Sequence, residues 1–265
     1  MGAFFFAVTV GLYSLATVIY VIYLFHRTEK VRRFARIVLF VSFLGHLGLI
    51  GFFCFQGAHP LSGTSGLLRF TSWVLVGGCL LTGLRWKIGV LGAMIAPLAL
   101  ALLVCSYFMI THSAAAIRVV KFLGWFHLVM AAMGVAAFAL AAAVAVVYLY
   151  QESALKKKRL DLVCRQTPAL STLDDVGRWL VLIGFPIFTL ALLSGVLWVT
   201  QLPKHGWFRL EYVFAGLSWL VLAVLLVARF KAGLRGKRAA WVAVVGFLGI
   251  WLVLVLYVGR KVLGP

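Results

Sequence analysis

The side chains best equipped for chemistry in this 265-residue chain are its six histidines, and two of them, His46 and His127, lie inside long apolar runs. An imidazole titrates near neutrality and ligates metals through either ring nitrogen. In hydrocarbon it costs free energy unless it is paired, ligated or hydrated, so each intramembrane histidine is a functional-site candidate by default. Gly45, Gly48 and Gly51 flank His46, a row that admits another helix or a flat ligand close to the backbone. His127 lies a few positions inside the start of a run of about 28 apolar or small residues, beginning at Phe122 and closed by Lys156, Lys157, Lys158 and Arg159. His26 belongs to a basic segment, and His59, His112 and His205 to connections between apolar runs.

Two neutral imidazoles on facing helices, each with a nitrogen about 2 Å from one iron, give the axial ligation of a low-spin b-type haem. By residue count the His127 and His46 rings lie roughly 8 and 14 Å below the same interface, a gap that tilt absorbs. The competing reading is that each ring bonds a neighbouring carbonyl or hydroxyl, for example Ser42, one turn before His46. The small residues Ala131, Gly134, Ala137, Ala141 and Ala145 suit a flat ligand and equally suit close helix packing. The connection 200–212 contains Lys204, His205, Trp207, Phe208, Arg209, Glu211 and Tyr212. It reads either as an interfacial aromatic belt or as a shelf that stacks on a porphyrin. In the second case Lys204 and Arg209 pair its propionates and His205 is a further candidate ligand.

Positioning such residues requires membrane helices. With 64% hydrophobic residues, 12% charged residues and a mean hydropathy of +1.09, the chain has far more apolar surface than one soluble core can bury. Eight spans are expected: 3–24, 37–55, 68–84, 88–109, 122–150, 179–200, 212–228 and 240–258. The expected fold is all-α, a polytopic bundle forming a single integral-membrane domain over 1–265, because runs near 20 residues fit helices and not barrel strands. Eighteen of the 25 Lys and Arg fall after spans 1, 3, 5 and 7. The positive-inside rule then places both termini on the outer, periplasmic face of a bacterial inner membrane. Span 1 reads as an uncleaved helix, since Met1 is followed by no basic segment and residues 24–27 offer no small-residue cleavage site.

The net charge of +19 is accordingly a topology signal and a contact for anionic lipids, with no nucleic-acid partner expected. Cys54, Cys79, Cys105 and Cys164 show no CxxC or CxxCH spacing and read as small apolar fillers. The six carboxylates, Glu29, Glu152, Asp161, Asp174, Asp175 and Glu211, all stand outside or at the ends of spans. That pattern argues against ion-coupled transport and two-carboxylate hydrolysis. The sequence Asp174-Asp175 after Pro168 reads as a helix N-terminal cap.

Several segments carry a family resemblance. These are Phe126-His127 with residues 136–140, 148–150 and 155–159; Leu173-Asp174-Asp175 leading to 183–186 and Thr189-Leu190; Ser218-Trp219-Leu220; and the run 233–239, Gly-Leu-Arg-Gly-Lys-Arg-Ala. Residues 60–73 agree more weakly. Together they resemble the cytochrome c assembly family, with its CcsA/ResC-type, CcmC-type and HemX-like branches, and sit closest to the short HemX-like branch. The resemblance implies a haem-binding membrane protein that presents haem b for attachment to apocytochrome c, a delivery role more than catalysis. Under it His127 and His46 fall on histidines seen in family members. Alternatives within the same resemblance are a non-enzymatic regulator or assembly factor working through 155–165, and a membrane subunit of a respiratory or cytochrome complex. A passive small-molecule transporter is a third class. The tryptophan-rich WWD segment of haem-handling members is reduced here to Trp207 in residues 206–211, with no histidine after it.

Overall fold

The computed structural model describes residues 2–57, 61, 63–86, 88–109, 122–158, 168–200 and 210–263. Among them there are eight helices and no strand. They are α1 Gly2–Phe25, α2 Glu29–Phe55, α3 Gly63–Trp86, α4 Gly89–Phe108, α5 Phe122–Lys156, α6 Leu170–Thr200, α7 Leu210–Lys231 and α8 Lys237–Leu263. All eight are long and apolar enough to span a membrane, so the chain is a multi-pass membrane protein. Successive helices run antiparallel: Phe5 at the start of α1 meets Phe52 near the end of α2, and Glu211 in α7 meets Arg260 in α8.

The helices outrun the apolar spans mainly on the basic side. Hydropathy marks where hydrocarbon lies, whereas a helix continues as long as its ends are capped or paired. Thr28 caps α2, whose first turn holds the pairs Glu29–Arg32 and Glu29–Arg33; Glu152–Lys156 pairs one turn apart at the end of α5. The expected cap at Asp174-Asp175 is corrected for the same reason. Helix α6 begins at Leu170, so both aspartates lie within its opening turns and Asp174 reaches across to another helix. Arg69 lies six residues inside α3, which starts at Gly63.

Apolar side chains cover the outside as well as the inside, as lipid requires. On α2 the row Ile37, Phe40, Val41, Leu44 and Leu47 is exposed at helical spacing, and its opposite side, Leu39, Ser42, His46 and Leu49, is buried. Helix α5 is the axle: 61% of its apolar window is buried within the protein, against 44% for α3 and α4 and 28% for the other five. One core cluster joins α1 to α4 with Ala136, Leu140 and Val144 of α5. A second joins α5 to α8 through Phe138, Ala141, Val181, Leu222 and Ala243.

Small residues let α5 and α6 approach most closely. A Cβ on Gly134 would lie 3.4 Å from the Phe188 backbone, and one on Gly184 would lie 3.0 Å from Ala137 Cβ. Of the two uses considered for the alanine and glycine stripe after His127, its members Gly134 and Ala137 serve helix packing. At the basic end, buried Arg229 of α7 pairs with Asp174 of α6 at 3.4 Å, and the Gly236 N–H donates to Asp174 Oδ1. Gly233 (φ +62°) and Gly236 (φ +70°) make the turn that brings the backbone there, a conformation L side chains resist. Near mid-membrane Trp219 Nε1 donates to Thr189 Oγ1 at 2.9 Å. Residues separated by thirty or more positions thus clamp α6, α7 and α8 together, and all of them except Arg229 stand in segments that carry the family resemblance.

Candidate functional site

His127 is seated between α5 and α6. Its Nδ1 lies 2.7 Å from the Ala191 carbonyl oxygen, and its ring meets Trp198 at a centroid distance of 5.8 Å and an angle of 40°. A carbonyl only accepts, so Nδ1 carries the proton and the neutral ring keeps its lone pair on Nε2. This is the device by which a metal-ligating histidine is held in one tautomer. Gly195 makes the seat: a Cβ there would fall 2.7 Å from His127 Cε1 and 2.9 Å from Nδ1. Ser194, one residue earlier, also donates to Ala191 O at 3.0 Å, so that carbonyl serves both side chains. His127 remains half-buried.

His46 is seated differently. It is fully buried between α1 and α2, with Nδ1 3.1 Å from the hydroxyl of buried Tyr13 and the two rings edge-on at 5.6 Å. A hydroxyl can donate or accept, so this partner leaves both neutral tautomers available. Nε2 is buried and has no hydrogen-bond partner among the described residues. Ser42 is not that partner; its hydroxyl donates to Val38 O at 2.7 Å. Of the glycine row, Gly45 admits Leu12 of α1 at 3.2 Å from a built Cβ, whereas Gly48 and Gly51 face open space.

The two imidazoles are not brought to one slot. Helix α2 packs on α1 and α3, and α5 packs on α6, α8 and α3, so His46 and His127 occupy separate interfaces with α3 touching both helices. Lys204, His205, Trp207 and Arg209 lie outside the described residues. Among the described residues no three His, Cys, Asp or Glu side chains converge on a point. Two separate histidines suit a metal whose equatorial ligands come from a macrocycle, and each offers it an Nε2: His127 by a fixed lone pair, His46 by an orphaned nitrogen. Both residues fit haem iron by that chemistry.

Sequence reasoning missed Tyr13, Ala191, Gly195, Trp198, Trp73 and Arg69. A glycine in an apolar helix such as Gly195 does signal close approach, but which side chain fills the gap is not written locally. Arg69 falls inside the expected span 68–84, but its neighbour Phe53 on α2 is not written locally either.

The family model for "Cytochrome C assembly protein" matches residues 6–261, nearly the whole chain. Among curated proteins, the cytochrome c biogenesis protein CcsA of Synechococcus elongatus is 33% identical over 111 residues, covering 42% of this chain and 33% of the relative. CcsA of Crocosphaera subtropica is 28% identical over 117 residues, 44% of this chain and 34% of the relative. That of Cyanophora paradoxa is 33% identical over 93 residues, 35% and 28% respectively. The chain thus matches about a third of the length of these relatives. No solved structure matches. With eight membrane helices and a match running from α1 to α8, the chain belongs to the cytochrome c assembly protein family.

Proposed function

We propose that this protein handles haem b during cytochrome c biogenesis in a bacterial inner membrane, with its termini on the outer face. The observation that carries the reading is the His127 seat, in which the Ala191 carbonyl fixes the proton on Nδ1 and leaves Nε2 for a metal. His127 and His46 are the proposed iron ligands, each at its own helix interface. The family name supports the pathway, and the relatives' printed name, cytochrome c biogenesis protein, supports apocytochrome c or another maturation protein as partner. Bound haem supplies a ligand-accepting iron and two carboxylates. The chain supplies imidazoles, an apolar enclosure and, in the connection holding Lys204, His205, Trp207 and Arg209, cations and aromatics suited to those carboxylates. The role is delivery of a cofactor and not bond-making on a substrate. Replacing His46 and His127 together by alanine should strip most haem from the purified protein in a pyridine haemochrome assay. Unchanged haem content would rule these ligands out.

A second reading is a HemX-like regulator or assembly factor, or a membrane subunit of a cytochrome complex. The observation that favours it is the reduction of the tryptophan-rich segment to Trp207, with no histidine later in the chain. It predicts that a partner enzyme or maturation protein co-purifies with the full chain and is lost when the basic connection 155–165 is replaced by a neutral one.

A further inference from the structure

Arg69 is a cation inside the membrane-spanning helix α3 without a counter-charge among the described residues. It stands about 9 Å along α3 at 1.5 Å per residue, half-buried, with its guanidinium 4.1 Å from the Phe53 ring centroid; its nearest polar contact is a long 3.4 Å bond to Ser65 O. None of the described carboxylates serves it. Glu29, Glu152 and Asp174 pair with cations at the basic end, Asp175 sits beside Asp174, and Glu211 pairs with Arg260. Asp161 lies outside the described residues.

Two further buried groups near Arg69 also lack partners. Trp73, one turn along α3, stacks on Phe43 at 4.9 Å and 11°, and its indole N–H has no acceptor among the described residues. His46, one turn from Phe43 on α2, leaves Nε2 without a partner among the described residues. A fixed cation and an indole N–H, beside a free imidazole nitrogen and walled by aromatic rings, lack one thing: an anionic oxygen.

We propose that Arg69 and the Trp73 N–H form a carboxylate-recognition site at the α2–α3 interface, which receives a carboxylate of the tetrapyrrole whose iron His46 ligates. This rests on the haem reading above and assigns recognition residues distinct from the connection 200–212. Arg69, against the Phe53 ring, supplies the charge, and Trp73, stacked on Phe43, an oriented donor.

The test uses an iron-free porphyrin dicarboxylate, protoporphyrin IX, and its dimethyl ester, titrated by fluorescence into the detergent-purified full-length protein. The wild type should bind the dicarboxylate roughly tenfold or more tightly than the ester, the range of a charge-assisted pair. Arg69→Gln should bring that ratio close to one, Trp73→Phe should reduce it less, and Arg69→Lys should restore part of it, which separates lost charge from lost fold. His46→Ala should leave the ratio intact while lowering haem iron binding. A wild-type ratio that persists undiminished in Arg69→Gln would overturn this proposal and leave the haem reading standing. A wild type that binds neither porphyrin would overturn both.

Discussion

The two intramembrane histidines have the same side chain and opposite situations. His127 donates to a carbonyl, is half open, and is given its room by Gly195 on the facing helix. His46 faces a hydroxyl, is sealed at 0% exposure, and sits in the core that joins α1 to α4. A carbonyl fixes a tautomer and a hydroxyl does not, so His127 is committed to presenting Nε2 whereas His46 can be set by whatever arrives. The comparison teaches that ligand readiness is a property of the neighbour across the interface as much as of the histidine.

The largest way to break the comparison is Gly195→Ala. Its methyl would take the volume of the ring edge, forcing His127 off Ala191 O, and haem content should fall several-fold while α1 to α4 stay packed. Retained haem with a wild-type Soret band would mean that the α5–α6 seat is not the ligand site. Asp174→Asn sharpens it from the other direction, by disturbing scaffold and not seat. Arg229 would lose its charged partner, at a cost of about 3 kcal/mol, so the melting temperature in detergent should drop while haem per folded protein is unchanged. Tyr13→Phe removes the hydroxyl that faces His46 Nδ1 and should cost about 1 kcal/mol, with a shift of the haem spectrum only in the fraction bound through His46. Ser42→Ala should change least, under about 1 kcal/mol, because that hydroxyl serves Val38 O and not the imidazole.

Much of the fold was legible because lipid imposes a strong local code. Eight apolar runs became eight helices, and the errors fell where the code stops, at polar ends held by Thr28, Glu29, Glu152 and Asp174. The candidate residues were legible too, since a histidine in hydrocarbon announces itself. Their partners were not. Nothing near His127 in sequence names Ala191, 64 positions away, and nothing near His46 names Tyr13, 33 positions earlier. Hydropathy also leaves helix rotation undefined, which is why one slot shared by both rings was expected and two interfaces were found.

The most direct test of the central claim, that His127 Nε2 is held ready for iron, is chemical rescue. His127→Gly opens a gap the size of the ring between α5 and α6. The purified variant should lose most of its haem, and imidazole added during haem loading should restore both haem content and the wild-type Soret band. Full haem content in His127→Gly without imidazole would contradict it.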